Sequence, residues 1–296
     1  MKFVSIAGGL GNQMFAYAFC LSLRARREKA VLYISRGKNS NNYGHQGYEL
    51  EKLFNIKQFE ETKSKIQNFY LRIYTNLIRV FPSTWKTRLF SYVGVHVVRV
   101  PENFIFYPEV FDFDHKHQLF MGTWQSDKFF KGAEDEIRRS FVFKSSLRSA
   151  LTVDMSDRMR SEQSVSIHVR RGDYLSDEFS VGFAGVCTEE YYANAIDYIS
   201  KQIENPYFYI FTDDYSWVSE HIKLENATYV NFNKGTNSWQ DMYLMSQCKH
   251  NIIANSSFSW WGAWLNANSD KIVIAPKQWW RLFETDDVVP ETWLRI

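Results

Sequence analysis

The stretch that decides the fold is Val165-Ser166-Ile167-His168-Val169-Arg170-Arg171-Gly172-Asp173-Tyr174. Its opening apolar run predicts a β-strand. An imidazole, two guanidiniums and a carboxylate follow within six residues. Ligands of open α/β sheets bind outside the carboxyl ends of strands, and adjacent arginines can grip a doubly charged anion such as a diphosphate. The alternative is an exposed turn with a local Arg–Asp ion pair.

The second half of the chain alternates strands and helices around this stretch, which predicts a parallel, doubly wound α/β sheet. The predicted strands are 165–169, 207–211, 229–232, 251–254 and 271–275, and the predicted helices are 188–203, 240–247 and 258–266.

The first half has fewer clear elements. We predict strands at 3–7, 31–34 and 118–121 and a helix that runs from the glycine turn to about Glu28, and these define an N-terminal domain. The boundary is expected near residues 145–163, so we divide the chain into domains 1–150 and 151–296. A final helix is expected that can pack back on the first domain.

A glycine turn, Gly8-Gly9-Leu10-Gly11, separates the first strand from its helix. Backbone amides at a helix start attract phosphate, so Gly11 is a candidate nucleotide-binding residue. The turn resembles a dinucleotide fingerprint, but Met14 occupies the place of the third glycine and no acidic ribose ligand follows. Asn12 and Gln13 would point their amides into a cleft. A simple tight turn is the alternative.

Two further strand ends in the second half carry polar groups. Asp213 and Asp214 could bind a metal, bind sugar or ribose hydroxyls, or cap a helix, and we count Asp213 as a nucleotide-binding candidate. The segment Asn255-Ser256-Ser257 could cap a helix or bind phosphate. Trp260 and Trp261 are expected in the core. Two Rossmann-like halves with such groups suit a nucleotide-sugar transferase.

Composition excludes several classes. The 296 residues carry a net charge of +2, so nothing draws the whole chain to nucleic acid. The three cysteines contain no CxxC pair, which argues against a disulfide framework and for a reducing compartment. No signal peptide is visible. No apolar run reaches the ~18 residues of a transmembrane helix.

The segment 63–99 combines seven Lys or Arg residues with many aromatic residues and has no Asp or Glu. It predicts two helices broken near Pro82. Such helices can lie as a peripheral contact on an anionic membrane surface, or can pack their rings inward and leave a solvated basic face. Both interpretations stay open.

Three motifs together resemble the bacterial α-1,2-fucosyltransferases of glycosyltransferase family 11. They are Gly8–Gln13, His168–Tyr174 and Ile253–Ala263, in the order and spacing of that family; Gly122–Ser126 and Thr212–Asp214 also fit. The resemblance spans nearly the whole chain, with a variable part at about 36–117.

The resemblance implies a GT-B fold, in which two Rossmann-like domains face each other across a cleft. It implies inverting transfer of L-fucose from GDP-β-L-fucose, bound by the C-terminal domain, to the 2-hydroxyl of a terminal β-galactoside on the N-terminal side. It implies no metal and no other cofactor. Eukaryotic relatives carry a membrane anchor at the N-terminus; its absence here implies a cytoplasmic bacterial enzyme, with oligomeric state left open.

The resemblance also implies residue roles. Arg170 would hold the diphosphate, and His168 and Asp241 the guanine end. The segment Asn255–Phe258, which includes Ser256 and Ser257, would touch the diphosphate, and Asn12 would lie at the reacting centre.

Two questions stay open at this point. Asp173 can be the general base or a salt-bridge partner that orients Arg170 or Arg171, and both roles have equal support. The rival functions are an NADP-dependent oxidoreductase with Arg36 on the 2′-phosphate, and a non-catalytic glycan-binding protein that uses the abundant aromatic rings, 17% of the chain.

Overall fold

The computed structural model describes residues 1–34, 46–56, 96–100, 103–176 and 180–296. It divides the chain into two compact units, 1–143 and 144–296. Residues 144–150, which we assigned to the first domain, therefore belong to the second unit. The reason is local, because Ser149 caps a helix of that unit and donates its backbone N–H to the Gln240 side chain at 2.7 Å.

The first unit is a four-stranded parallel sheet with strand order β2-β1-β4-β3. Its elements are β1 (Lys2–Ile6), α1 (Leu10–Ala25), β2 (Ala30–Ile34), α2 (Leu50–Leu53), β3 (His96–Arg99), β4 (Gln118–Met121) and α3 (Glu134–Ser140).

Helix α1 is the core of this unit. It is apolar on almost every face, as expected of a helix buried all round, and Phe19 stacks on Trp124 with ring centroids 4.0 Å apart. The helix ends at Ala25 and not near Glu28 as predicted. Arg27 takes a left-handed conformation with φ 64°, and the Glu28 N–H closes the last turn on Leu23.

Strand β3 corrects the prediction of a helix up to Arg99. Residues 96–99 pair in parallel with β4 and include two β-branched valines, which suit a strand. The rest of the basic aromatic segment, 63–95, lies outside the described residues, as does most of the polar loop 36–47.

The second unit is a six-stranded parallel sheet with strand order β10-β9-β8-β5-β6-β7. Its elements are α4 (Ala150–Ser161), β5 (Ser164–Val169), α5 (Ser180–Phe183), α6 (Glu189–Gln202), β6 (Tyr207–Thr212), α7 (Tyr215–His221), β7 (Ala227–Val230), α8 (Trp239–Gln247), β8 (His250–Ile252), α9 (Ser257–Leu265), β9 (Val273–Ala275) and β10 (Leu294–Arg295).

Strand β5 is the centre of this sheet. All six of its residues are buried. The chain leaves β5 for β6 and β7 on one side, and then crosses to β8 on the other. The carboxyl end of β5 is therefore a topological switch point, the place where open α/β sheets bind their ligands.

The expected final helix is absent, because the chain after α9 contains no further helix and ends in β10 beside β9. The last segment, residues 276–296, forms no helix and packs against tryptophan side chains. Trp260 donates its indole N–H to the Val288 carbonyl at 2.8 Å, and its ring packs against Trp293. Trp260 and Trp261 are fully buried, which confirms their predicted place in the core. Among the described residues, no helix has the length and apolar character to cross a membrane.

Candidate active site

Arg170 lies directly after β5 and is held by two carboxylates. One Nη atom donates a hydrogen bond to Oδ2 of Asp173 at 2.9 Å. The Nε atom lies 2.9 Å from Oδ1 of Asp173 and the other Nη atom 3.0 Å from Oδ2 of Asp213, as ion-pair contacts. A charge-assisted hydrogen bond with two such contacts holds a guanidinium in orientation. Arginine has five N–H donors and these contacts occupy at most three, so at least two have no partner among the described residues.

The local sequence explains this arrangement. A 3₁₀ turn at Asp173–Leu175 folds the Asp173 carboxylate back onto the residue three positions earlier. Gly172 makes room for the second carboxylate, because a Cβ atom there would lie 3.0 Å from Oδ2 of Asp213.

Arg171 points elsewhere and serves the structure. Its backbone N–H donates to Asp213 at 2.8 Å, its Nε donates to Asp214 at 3.1 Å, and its guanidinium lies 4.3 Å from the ring centre of Trp217. The expectation that both arginines grip one anion is therefore wrong. The two guanidiniums have different acidic partners, Asp173 and Asp213 for Arg170 and Asp214 for Arg171, so the side chains diverge immediately after the strand.

Asp213 and Asp214 likewise have separate roles. The Asp214 side chain caps α7 by accepting the Trp217 N–H at 3.1 Å, and this bond, together with Arg171, lowers its pKa. Asp213 joins the backbone of Arg171 to the guanidinium of Arg170. The helix-cap interpretation thus holds for Asp214, and Asp213 belongs to the arginine network.

The contact with Arg170 bears directly on the role of Asp173. Oδ2 accepts a hydrogen bond from Arg170 at 2.9 Å, which is the orienting role. Oδ1 lies 2.9 Å from the same guanidinium but accepts no hydrogen bond among the described residues. The hydrogen bond therefore favours the interpretation that Asp173 orients Arg170. A base function for it stays a prediction from sequence.

His168 is buried near the end of β5, with an exposed fraction of 6%. Burial, and then the charge of Arg170, lowers its pKa to about 3, so the imidazole is neutral near pH 7. Its Nδ1 atom has no hydrogen-bond partner in the part of the chain that the structure describes. A neutral, positioned imidazole of this kind suits a binding role better than proton transfer.

The start of α9 lies beside these groups. Tyr174 donates its hydroxyl to the Asn255 carbonyl at 3.0 Å, and the Phe258 ring lies 6.0 Å from the His168 ring. Ser256 caps the helix by accepting the Phe258 N–H. The structure therefore brings the β5 turn together with the Ser-rich turn at residues 255–258, as the motifs predicted.

The Asn255 side chain is used inside the protein. Its exposed fraction is 1%, and its amide donates to the carbonyls of Phe183 and Trp279, both at 3.2 Å. Its oxygen accepts a weak hydrogen bond from the Cys187 thiol. The prediction that this side chain binds the nucleotide is not supported by its geometry. Ser256 and Ser257 keep positions at the helix start.

Asp241 lies in the first turn of α8. Helices that follow parallel strands begin at the carboxyl edge of the sheet, so Asp241 shares that edge with Arg170. Burial raises its pKa to about 7, and Asn233 donates its amide to Oδ1 at 2.8 Å. A carboxylate this far from its ordinary pKa, at a ligand-binding edge, marks a candidate functional residue.

In the first unit, Gly8 has a left-handed backbone with φ 78°, and a Cβ there would lie 2.7 Å from the Asn12 amide nitrogen. The helix starts at Leu10, so Gly11 and Asn12 are in its first turn and not in a preceding loop. Asn12 accepts a hydrogen bond from Gln125 at 2.7 Å. The glycine thus allows close packing that places the Asn12 amide.

Gln13 does not face a cleft. It is buried, donates to the carbonyls of Gly8 and Gly47 at 3.0 and 2.7 Å, and accepts the Glu49 N–H at 2.9 Å. Its expected role as a cleft amide is wrong, because the backbone of the adjacent loop takes all of these hydrogen bonds.

Comparison with known proteins decides the family. The protein-family model described as glycosyl transferase family 11 matches residues 1–295 of this chain. The chain belongs to glycosyltransferase family 11. It is 34% identical to an alpha-1,2-colitosyltransferase of Escherichia coli over 98% of this chain and 97% of that protein. It is 30% identical to the human galactoside alpha-(1,2)-fucosyltransferase 1 over 155 residues, which are 50% of this chain and 42% of the human protein.

Solved structures confirm the fold. The fucosyltransferase NodZ from Bradyrhizobium matches with a TM-score of 0.53 and 15% identity, over 88% of this chain and 91% of that one. The predicted α/β fold of the GT-B class is therefore confirmed, and the family makes the protein a glycosyltransferase.

Sequence reasoning missed two residues of this family-11 chain. In the sequence, Gln125 was noted only as part of a motif. In the structure, Trp124 before it has a left-handed φ of 55°, which is unusual for a bulky residue. Asn233 carried no motif. The contact of Gln125 with Asn12 spans 113 residues and that of Asn233 with Thr152 spans 81, so no short-range signal could find these two. The contact of Asn233 with Asp241 spans only eight residues.

Proposed function

We propose that this protein transfers L-fucose from GDP-β-L-fucose to the 2-hydroxyl of a terminal β-galactoside, with inversion, to form an α-1,2 linkage. The observation that supports this best is Arg170. It is oriented by two carboxylates at the switch point of the second sheet, with two N–H donors left for a ligand. Family-11 membership and the names of the relatives support the sugar and the linkage.

The proposed chemistry is a displacement at the anomeric carbon. The bond from that carbon to the β-phosphate oxygen breaks, the bond to the acceptor oxygen forms on the opposite face, and GDP leaves. Negative charge grows on the diphosphate, and preorganised donors lower the energy of that state. The free N–H groups of Arg170 and the amides at the start of α9 would supply these donors without a metal.

The donors have to act together. The two negative charges of Asp173 and Asp213 exceed the single positive charge of the Arg170 guanidinium that they contact. Arg170 alone therefore offers a diphosphate little net positive charge. The helix start adds the backbone amides of its first turn other than that of Phe258, which donates to Ser256. Tyr174 joins the two groups through its bond to Asn255. His168 and Asp241 would hold the guanine base. The acceptor proton needs a general base, and we assign none.

The donor sugar needs a direct comparison. The full-length relative at 34% identity is named for colitose, which is fucose without its 3-hydroxyl. Another full-length relative, 28% identical, is named as an O-antigen biosynthesis glycosyltransferase WbnK of Escherichia coli. We propose galactose-terminated glycans, including polysaccharide repeats, as acceptors. A cytoplasmic location and a peripheral membrane contact through 63–99 stay proposals from sequence.

The test is incubation of the purified protein with GDP-fucose or GDP-colitose and a panel of β-galactosides, with linkage analysis of the product. We expect α-1,2-linked fucose, and full activity after exhaustive chelation with EDTA. Arg170→Ala should lower transfer by about 10²–10³-fold, whereas Arg160→Ala, an exposed control on α4 paired with Asp157, should not. Transfer from GDP-colitose alone would correct the donor. Binding of NADPH without GDP, or of galactosides without release of GDP, would contradict the proposal.

A further inference from the structure

Asn233 is a buried amide in the loop between β7 and α8, with an exposed fraction of 8%. Its nitrogen donates to Oδ1 of Asp241 at 2.8 Å, and its oxygen faces the Thr152 hydroxyl at 3.4 Å. That hydroxyl accepts a hydrogen bond from Ser149 at 3.0 Å. Ser149, Thr152, Asn233 and Asp241 thus form a chain of hydrogen bonds, the relay, which runs from the N-cap of α4 to the carboxylate on α8.

The relay sets which end of the amide faces Asp241. A hydroxyl donor on one side requires the amide oxygen there, so the amide nitrogen must face the carboxylate. One lone pair of Oδ1 is thereby taken, and the plane of the Asp241 carboxylate is set by two helices that pack against each other.

We propose that Asn233 is a positioning residue for the nucleotide base, which holds the Asp241 carboxylate so that it accepts the two N–H donors on the edge of guanine. The inference rests on the proposed function, since it needs a GDP-sugar donor. It adds to that function a residue that acts through Asp241 and does not touch the base itself.

Asn233 also affects the charge of Asp241. Burial raises the pKa of Asp241 to about 7 and the Asn233 hydrogen bond opposes this, and no charged residue of α4, α9 or any other described element contributes to the shift. Loss of the bond would therefore raise the pKa further and leave less carboxylate at neutral pH.

Base discrimination is the direct test. We would measure the dissociation constants of GDP and of inosine diphosphate, which lacks the 2-amino group, for the wild type and for Asn233→Ala. Because a hydrogen bond to a charged group is worth about 1.5–3 kcal/mol, the wild type should prefer GDP by about tenfold or more. Asn233→Ala should lose most of that preference. The control is Asn237→Ala, an exposed asparagine four residues away, which should keep it.

The pH profile gives a second readout that a merely structural role would not move. GDP affinity of the wild type should rise with pH up to about 7, and the rise should lie at higher pH in Asn233→Ala. Asn233→Asp keeps the side-chain volume and replaces the donor by a second carboxylate, so it should also lose the GDP preference.

The outcomes separate the two proposals. A wild type that binds neither nucleotide would contradict the proposed donor. A wild type that binds both equally would contradict recognition of the guanine 2-amino group by Asp241, and with it the role of Asn233, but not the donor. A wild type that prefers GDP, with Asn233→Ala and Asn233→Asp keeping both the preference and the wild-type pH profile, would overturn the role of Asn233 alone.

Discussion

The two strand ends that carry the leading motifs differ in what their polar groups do. After β1, Gly8 lets the Asn12 side chain at the start of α1 pack closely against the turn, and the Gln13 amide donates its hydrogen bonds to backbone carbonyls. After β5, Arg170 is oriented by carboxylates and keeps donors to spare. A strand that runs into a glycine turn or a charged turn therefore does not by itself define a site. What matters is whether polar groups remain after the protein's own hydrogen bonds are satisfied.

The largest expected effect is the contrast between the two adjacent arginines. Arg170→Ala should lower transfer by about 10²–10³-fold, the usual cost of removing a donor that stabilises developing negative charge. Arg171→Ala should mainly lower the melting temperature, since Arg171 holds Asp214 and Trp217. Measured turnover and thermal unfolding of both variants check this. Equal loss of activity in the two would break the distinction between them.

Asp241→Asn tests whether the second unit gives up stability for a ligand-binding carboxylate. Because burial raises the pKa of Asp241 from 3.8 to about 7, its stabilising contribution is full below pH 3.8 and is lost as pH rises through 7. The difference in unfolding free energy between Asp241→Asn and wild type should therefore grow in favour of the variant by about 2–3 kcal/mol from pH 5 to pH 8. The variant should also lose GDP affinity. Denaturant titration at both pH values measures the gain, and a constant difference would contradict the account.

Gly8→Ala probes the turn of the first unit. The variant combines a left-handed backbone with a contact of 2.7 Å to Asn12, so we expect it to lose about 2 kcal/mol or more of stability. Gly132→Ala is the matched control, because Gly132 is also left-handed but has open space around its Cβ position. Equal losses in the two variants would show that strain alone, and not the Asn12 contact, explains the glycine.

The smallest expected effect is at Gln125. Gln125→Leu removes the hydrogen bond to Asn12, worth about 1 kcal/mol. We expect turnover to fall by about fivefold with little change in GDP affinity, because the proposed donor-binding residues belong to the other unit. Steady-state kinetics over GDP-fucose concentration measures both. A loss confined to GDP affinity would contradict the placement of Asn12 at the reacting centre.

Local patterns predicted the regular elements and the groups beside them. Strand β4 is found at the predicted residues, and β5 begins one residue early. The errors have physical reasons. β3 and β10 are short and gain their stability only by pairing with β4 and β9, and the end of α1 depends on a left-handed arginine.

The site was predictable in part. The nearness of Arg170 to Asp173 follows from a turn of three residues, and the helix cap at Ser256 follows from residue type. The contact of Asn233 with Asp241 and Thr152, and that of Asn12 with Gln125, depend on how helices and loops pack. Asn12 and Gln125 are 113 residues apart, and Thr152 and Asn233 are 81 apart, so these pairs leave no pattern in a single chain. Asn233 and Asp241 are only eight apart, but one lies in a loop and the other in a helix, so no common period links them.

The central claim is that Arg170 binds the diphosphate of the donor. Calorimetric titration of wild type and Arg170→Ala with GDP and with guanosine tests it most directly, because guanosine has no phosphate. We predict that Arg170→Ala weakens GDP binding by about 100-fold, since two charge-assisted hydrogen bonds are lost, and leaves guanosine binding unchanged. Unchanged GDP binding, or an equal loss for both ligands, would contradict it.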